Sequence, residues 1–452
     1  QKTSRSDLRA TLRLDPCIAL WVGNNTILWD GVTIRGDVSC NGTLSNSGAI
    51  EGDAFTGTFS GNNPTGQLQP IANLPLAWPR ITVVDFTSNY AVQTITNSVL
   101  SGLTLGPYDP VRVCFRNGDL VIAGNTHVEG MLIVNGNLTV RNGINTITAG
   151  KNLPAMLVTG NLIVESGGEL EIEGLAVIDG DMQVSAGAAG VNLLGGLFIQ
   201  GTLVETTADS SGNGNNGTIF GATQTVAGTG FALHFDGADD YVRIAVDPAL
   251  DNLDAITMMA RIYPRVDSHW HVLDKGDGDK RIFSEGLNRT LDGRVRYTSV
   301  NAWSESAGGT IELNTWQYVA LTWSPSTNSI RLFRDGIEVQ YGYQAIGSGA
   351  ALDDTTHPFT IGVRSGLNNG TFFDGLINDV RLYDRALDPN EIYPPNDSLP
   401  GLIGHWKLDE SGSSVTITAA PSRTAIVTWS AAGVVEKWGQ AAGAFFKSIE
   451  RK

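Results

Sequence analysis

Three sets of residues have the types and spacings that chemistry needs. The first is oxygen-rich. Asp209, Asn213 and Asn215 share the glycine-rich turn A-D-S-S-G-N-G-N-N-G-T (208–218), F-D-G-A-D-D offers Asp236, Asp239 and Asp240, and Asn378 and Asp379 precede V-R-L-Y. Oxygen ligands on turns, without His or Cys, suit Ca²⁺ rather than a transition metal. The same residues also serve simply as turn caps. The second set is aromatic. Trp270, Trp303 and Tyr343 fall beside loop-like text, near Asn301, Arg294 and Arg364. Planar rings beside amide and guanidinium groups are what a sugar-binding face requires. Trp316 and Trp323 read as core. The third set is acid–base. E-L-E-I-E aligns Glu169, Glu171 and Glu173 on one strand face. A retaining glycosidase needs two carboxylates about 5–5.5 Å apart, but Leu170 and Ile172 point inward between these three, which therefore read as a solvated face. His269 and His271 share a strand face around Trp270, with no further metal ligands in view. There is no G-x-S-x-G elbow, so nucleophilic catalysis has no support, and the chain is expected not to be an enzyme.

The elements that must position these residues are β-strands. The chain has 452 residues, which predicts two or three domains. Hydrophobic residues at 41% and charged residues at 17% exclude long disorder. The 54 glycines, with recurrent Asn-Gly, Asp-Gly and Gly-Asn pairs, indicate an all-β protein of many short strands. A net charge of −16 argues against nucleic acid and anionic lipid as partners and suits a secreted or surface protein. Cys17, Cys40 and Cys114 show no zinc spacing. No apolar run reaches the ~18–20 residues of a membrane span. Gln1 begins no signal peptide, since Lys2, Arg5, Arg9 and Arg13 precede no apolar stretch; any export signal is expected upstream.

Four segments follow. Residues 1–17 predict a short helix or linker ending at Pro16. Residues 18–203 predict a β-solenoid. Its signature is G-D-L-V-I (118–122), G-N-L-T-V (136–140), G-N-L-I-V (160–164) and G-D-M-Q-V (180–184), a Gly-Asx corner followed by an apolar-x-apolar strand. The repeats are 18, 24 and 20 residues apart, within the range of solenoid rungs. Residues 62–80, rich in Pro and Asn, interrupt this pattern as an excursion. Residues 204–414 carry more aromatics and longer strands. Residues 415–452 predict a return strand, V-T-I-T-A, and a capping helix whose apolar spacing includes Trp438, Phe445, Phe446 and Ile449.

In order, A-D-S-S-G-N-G-N-N-G-T (208–218), F-A-L-H-F-D-G-A-D-D-Y-V (231–242), T-W-Q-Y-V-A-L-T-W (315–323), I-R-L-F-R-D-G (330–336) and F-D-G-L-I-N-D-V-R-L-Y-D-R-A-L (373–387) resemble the landmarks of the laminin-G-like, concanavalin A-like lectin superfamily. The resemblance implies two antiparallel sheets packed face to face. It also implies a structural Ca²⁺ that ties the N-terminal turn to the last strand, here through Asp209, Asn213, Asn215 and Asp379. The family's Trp-bearing first strand is displaced: G-L-I-G-H-W-K-L-D-E-S-G-S occupies 401–413. The expected fold is therefore all-β, a β-solenoid (β-helix) carrying an inserted, circularly permuted concanavalin A-like jelly roll, with short terminal helices. The alternative is that 401–413 completes a neighbouring molecule by strand donation, giving a filament. The expected function is an extracellular structural or adhesive protein whose lectin-like module binds a polysaccharide or glycoprotein.

Overall fold

The computed structural model describes residues 18–73, 81–106, 112–150, 153–228, 230–286 and 288–419. The two terminal helices expected from sequence, and Cys17, lie outside these residues. No helix among the described residues is long and apolar enough to cross a membrane. The chain divides into two compact units: residues 1–184, 188–204 and 413–452, and residues 185–187 and 205–412.

The first unit is a parallel β-solenoid of about 8 turns. The four Gly-Asx repeats stack in one register, with Leu120, Leu138, Leu162 and Met182 in line. Their alternate residues fill the interior. The corners are joined by side chains. The Oδ1 of Asp119 accepts the backbone N–H of Asn137, that of Asn137 accepts Asn161, that of Asn161 accepts Asp181, and that of Asp181 accepts Thr202, at 2.8–2.9 Å. This ladder explains why Asx follows Gly at each corner. The glycine is needed because stacking leaves no room: a Cβ on Gly160 would lie 2.4 Å from the Asn137 side-chain oxygen. Replacing Asn161 by Ala strands the Asp181 N–H, and is expected to cost about 1–3 kcal/mol in a urea titration. A loss within error of zero would show that water replaces the ladder.

Rung order is not chain order. From one edge the sheet runs Leu68–Pro70, Ala54–Gly61, Asp37–Asn46, Ile18–Val22, Gly190–Ile199, Gly168–Ile178, Gly143–Ala149, His127–Asn135, Val113–Asn117 and Val92–Thr94. The first rungs of the chain thus stack on the last, with Leu20, Trp21 and Val22 beside Leu197, Phe198 and Ile199. The return strand Val415–Ala419 pairs with Gly190–Ile199 on one side and Val32–Arg35 on the other. It shares a rung with Ile18–Val22, the two short strands each supplying half. Of the segment read as an excursion, Leu68–Pro70 is itself the edge strand of the stack, paired with Ala54–Gly61, and the link to the other edge at Val92–Thr94 follows it. Within that link Ile81, Val83 and Phe86 pack on outward apolar residues Val113, Met131, Ile133, Leu157 and Val177.

The second unit is a β-sandwich. One sheet orders Tyr341–Ala345, Ala302–Ser306, Asp292–Val295, Lys280–Glu285, His269–Lys275, Phe359–Ile361, Tyr241–Ile244 and Gly217–Phe220, all antiparallel. The other orders Thr223–Ala227, Gly230–Asp236, Asp374–Tyr383, Ile256–Pro264, Gln317–Ser324, Ser329–Arg334 and Ile337–Glu338. Leu402–Trp406 pairs antiparallel with Asp374–Tyr383 of the same chain. Trp406 is fully buried, its indole stacked on Phe359 with ring centroids 5.4 Å apart and its Nε1–H donated to the Asn215 carbonyl at 2.7 Å. A single chain therefore supplies this strand to its own sandwich. Trp316 departs from the core reading: it is half-buried, beneath the Arg261 guanidinium.

Candidate functional site

In an antiparallel sheet directly opposed residues share a face. Ile282, Gly293, Val295 and Ala302 face the sandwich core, where a Cβ on Gly293 would press on Leu321 and Leu332. The intervening residues face away. On Lys280–Glu285 these are Arg281, Phe283 and Glu285; on Asp292–Val295, Asp292 and Arg294; on Ala302–Ser306, Trp303 and Glu305. Tyr343 stands opposite Glu305, and His269 and His271 stand opposite Glu285 and Phe283. Five strands thus assemble one outward face of aromatics, arginines and carboxylates.

The arrangement is layered. Arg281 lies over the Phe283 ring at 4.2 Å, and Arg294 spans from Phe283 (5.6 Å) to Trp303 (4.3 Å). Trp303 meets Tyr343 edge-on at 5.4 Å. Tyr343 is 50% exposed and marks the open side. Hydrogen-bonding capacity is left over: His269 Nε2, His271 Nε2, Arg281 Nε, Asp292 Oδ1, Arg294 Nε and Trp303 Nε1 are enclosed without partners. Buried polar atoms are normally satisfied, so a group of orphans on one face points to a ligand or ordered water. Burial, then the Arg294 charge, lowers Arg281 to about 10, so it stays cationic at neutral pH. Burial raises Asp292 to about 7, against the hydrogen bonds from Thr290 and the Glu285 N–H, with Glu305 and Glu285 adding to the rise. Burial also lowers His269.

Of the residues expected to bind sugar, Trp303, Arg294 and Tyr343 come together here. Trp270 does not. It is 2% exposed, on the core side of its strand and edge-on to Phe373. Asn301 caps a turn, its Oδ1 accepting the Tyr297 N–H at 3.0 Å. Arg364 pairs with Asp277 at 2.9 Å. The face also gathers Arg281, Phe283, Asp292 and Glu305; the period-two alternation of R-I-F-S-E (281–285) marks the first two in sequence, while Asp292 and Glu305 join only through strand register.

The expected Ca²⁺ site takes a different form. Asp209 accepts N–H groups from Ser211, Asn215 and His405 and the Ser211 hydroxyl, at 2.8–3.0 Å. Asn213 and Asn215 turn their side-chain amides to the Ile403 carbonyl, at 3.2 and 3.4 Å. Asp379 accepts from Arg381 Nε at 2.7 Å, lies 2.9 Å from His405 Nε2, and accepts from the Tyr318 hydroxyl. Against desolvation these donors hold its carboxyl below the usual range. Asp379 is taken up by a guanidinium and an imidazole, Asp209 by N–H and O–H donors, and the two amides by a carbonyl, so in this arrangement Asp209, Asn213, Asn215 and Asp379 do not form an oxygen-only Ca²⁺ cage. His405 itself links turn and strand, by its backbone N–H to Asp209 and its ring to Asp379. Among the described residues the one group of three metal-capable side chains is Asp236, Asp239 and Asp240, with ligand atoms within 4.8 Å of one another. Burial, then the Asp236 charge, raises Asp240 to about 7.

Residues 235–393 match the family model Laminin_G_3, described as the concanavalin A-like lectin/glucanases superfamily. The sandwich is a laminin-G-like module. Similar solved structures include a Bacteroides ovatus protein assigned to carbohydrate binding, at 18% identity over 40% of this chain and TM-score 0.33. The match spans 52% of that protein, about half its length. A heptameric pentraxin of Limulus polyphemus matches at 17% identity over 37% of this chain and 82% of its own, TM-score 0.28. Domain 4 of an extracellular arabinanase of Geobacillus stearothermophilus, solved with arabinotriose, matches at 17% over 42% of this chain and 97% of its own, TM-score 0.31. At these identities the likeness is one of fold alone. No curated protein matched the chain.

Proposed function

We propose that the laminin-G-like module binds carbohydrate, without catalysis, on the outward face built from Phe283, Arg294, Trp303 and Tyr343, and that the solenoid displays it outside the cell as part of an adhesive or structural protein. The observation that carries this reading is the coincidence of an accessible Trp–Tyr pair with unpartnered buried donors on one face. Rings stack on the apolar faces of sugars, and orphaned N–H groups take their hydroxyls.

A glycan array probed with the full chain, with and without EDTA, tests it. Binding should appear for at least one glycan class. Trp303→Ala should weaken that binding about 10-fold or more, the order expected for a stacked ring with its donor, while leaving the melting temperature near wild type. A blank array in both buffers would sink the proposal. Because arginines and rings make the face, binding should survive EDTA. Loss in EDTA alone would give Asp236, Asp239 and Asp240 a cation-holding role.

A further inference from the structure

Arg281 is the cation on this face with no anion at ion-pair distance; its register partner Asp274, and Glu285, act on its charge from further off. Several arginines of the module are ion-paired, Arg296 with Asp279 and Arg364 with Asp277 nearest to it, and Arg331 with Glu338, Arg334 with Glu312, Arg381 with Asp379 and Arg385 with Glu391 elsewhere. Arg281 makes no ion pair or hydrogen bond among the described residues. It is 6% exposed, its Nε has no partner, and its guanidinium rests on Phe283. In a chain of net charge −16 that is unexpected, because a desolvated, unpaired guanidinium destabilises the fold.

The carboxylates nearby are engaged. Asp274 accepts His271 Nδ1 and the N–H groups of Gly278 and Ser365. Asp277 is held by Arg364. Glu285 faces Arg294, at 3.7 Å. Asp292 accepts Thr290 and the Glu285 N–H, and burial favours its neutral form. Beside Arg281, Arg294 Nε and His269 Nε2 are also without partners. Both lie within electrostatic reach of Arg281, as does Arg364. Three groups with spare hydrogen-bonding capacity thus share this face: Arg294 over the ring of Trp303, Arg281 over that of Phe283, and His269 within reach of Arg281's charge.

We propose that the carbohydrate this face binds is acidic, and that Arg281, with Arg294 and His269 beside it, receives a sugar carboxylate while Trp303 stacks on the ring. The proposal rests on the reading of this face as a sugar site. A guanidinium presents a planar fork that matches a carboxylate in two parallel hydrogen bonds. A neutral sugar would leave Arg281 as unpaired as it is now.

Calorimetric titration of the full chain with matched pairs tests it: trigalacturonate against its trimethyl ester, and sialyllactose against lactose. The acidic member of at least one pair should bind about 10-fold tighter or better, as for a charge-assisted pair. Arg281→Gln should abolish that preference, and Arg281→Lys, which keeps the charge but not the fork, should restore only part of it. Equal affinity within both pairs would overturn the acidic specificity and leave the sugar face standing. No binding to any of the four, with a blank glycan array, would overturn both readings. A preference retained in a natively melting Arg281→Gln would remove Arg281 from the site. Should that variant fail to fold, salt decides on the wild type: raising it from about 0.05 to 0.5 M should weaken the acidic sugar and spare its neutral partner, and equal response of the two would overturn the proposal.

Discussion

Trp406→Ala is expected to destabilise the laminin-G-like module by about 3–5 kcal/mol, the range for removing a fully buried large aromatic. Three losses combine. The indole gives up its stacking on Phe359. The Asn215 carbonyl loses its donor. The strand Leu402–Trp406 loses the anchor that holds it beside Asp374–Tyr383, where His405 bridges Asp209 and Asp379. A urea titration followed by far-ultraviolet circular dichroism reads the loss, with half-buried Trp316→Ala as the comparison. A change below about 1 kcal/mol would mean the strand is not packed as described. Because the strand is supplied within one chain, the effect should not depend on protein concentration. A concentration-dependent midpoint would return the strand-donation reading.

Much of this architecture is legible in sequence because it is locally encoded. Gly-Asx corners announce rungs since the Asx side chain bonds the next corner and only Gly fits beneath it. Trp406 announces a family strand by the wording around it. Rung order is not legible. Every rung has the same apolar-x-apolar pattern, so nothing local says that Ile18–Val22 should stack on Gly190–Ile199. The candidate face is only half legible for a related reason. Arg281, Arg294 and Trp303 come from three strands, and their juxtaposition depends on the register of two hairpins. Trp270 was misplaced because His269, Trp270 and His271 offer both faces of the strand a ring, and composition cannot tell which face is buried. The Asp379–His405 contact joins residues that the displaced strand brings together, so their spacing in sequence carried no sign of it.

Asp354→Ala is expected to be as damaging as Trp406→Ala, at about 3–5 kcal/mol, because it breaks a buried ion pair from one side. Asp354 and Lys280 bond directly, with side chains 1% and 2% exposed. Asp354 also accepts the Asn252 N–H at 2.7 Å. Lys280 is register partner to Lys275, whose ammonium is held by Asp251 at 2.5 Å and by the His357 carbonyl at 2.7 Å. Two lysines side by side cannot stay buried unless each keeps its oxygen ligand, so loss of one carboxylate leaves a charge with neither water nor counter-ion. The double variant Lys280→Met with Asp354→Leu removes both charges, and buried pairs replaced by apolar residues are often neutral. It should recover most of the loss, short of the Asn252 N–H that remains unpaired. A single variant within about 1 kcal/mol of wild type would show the pair to be hydrated. The pair also bears on the outward face. Lys280 precedes Arg281, and pinning its side chain to one side of the strand sends the Arg281 guanidinium to the other. Asp354→Ala should therefore weaken binding of an acidic glycan even at temperatures where the module stays folded, while Asp251→Ala, one strand further from Arg281, should cost stability with a smaller effect on binding.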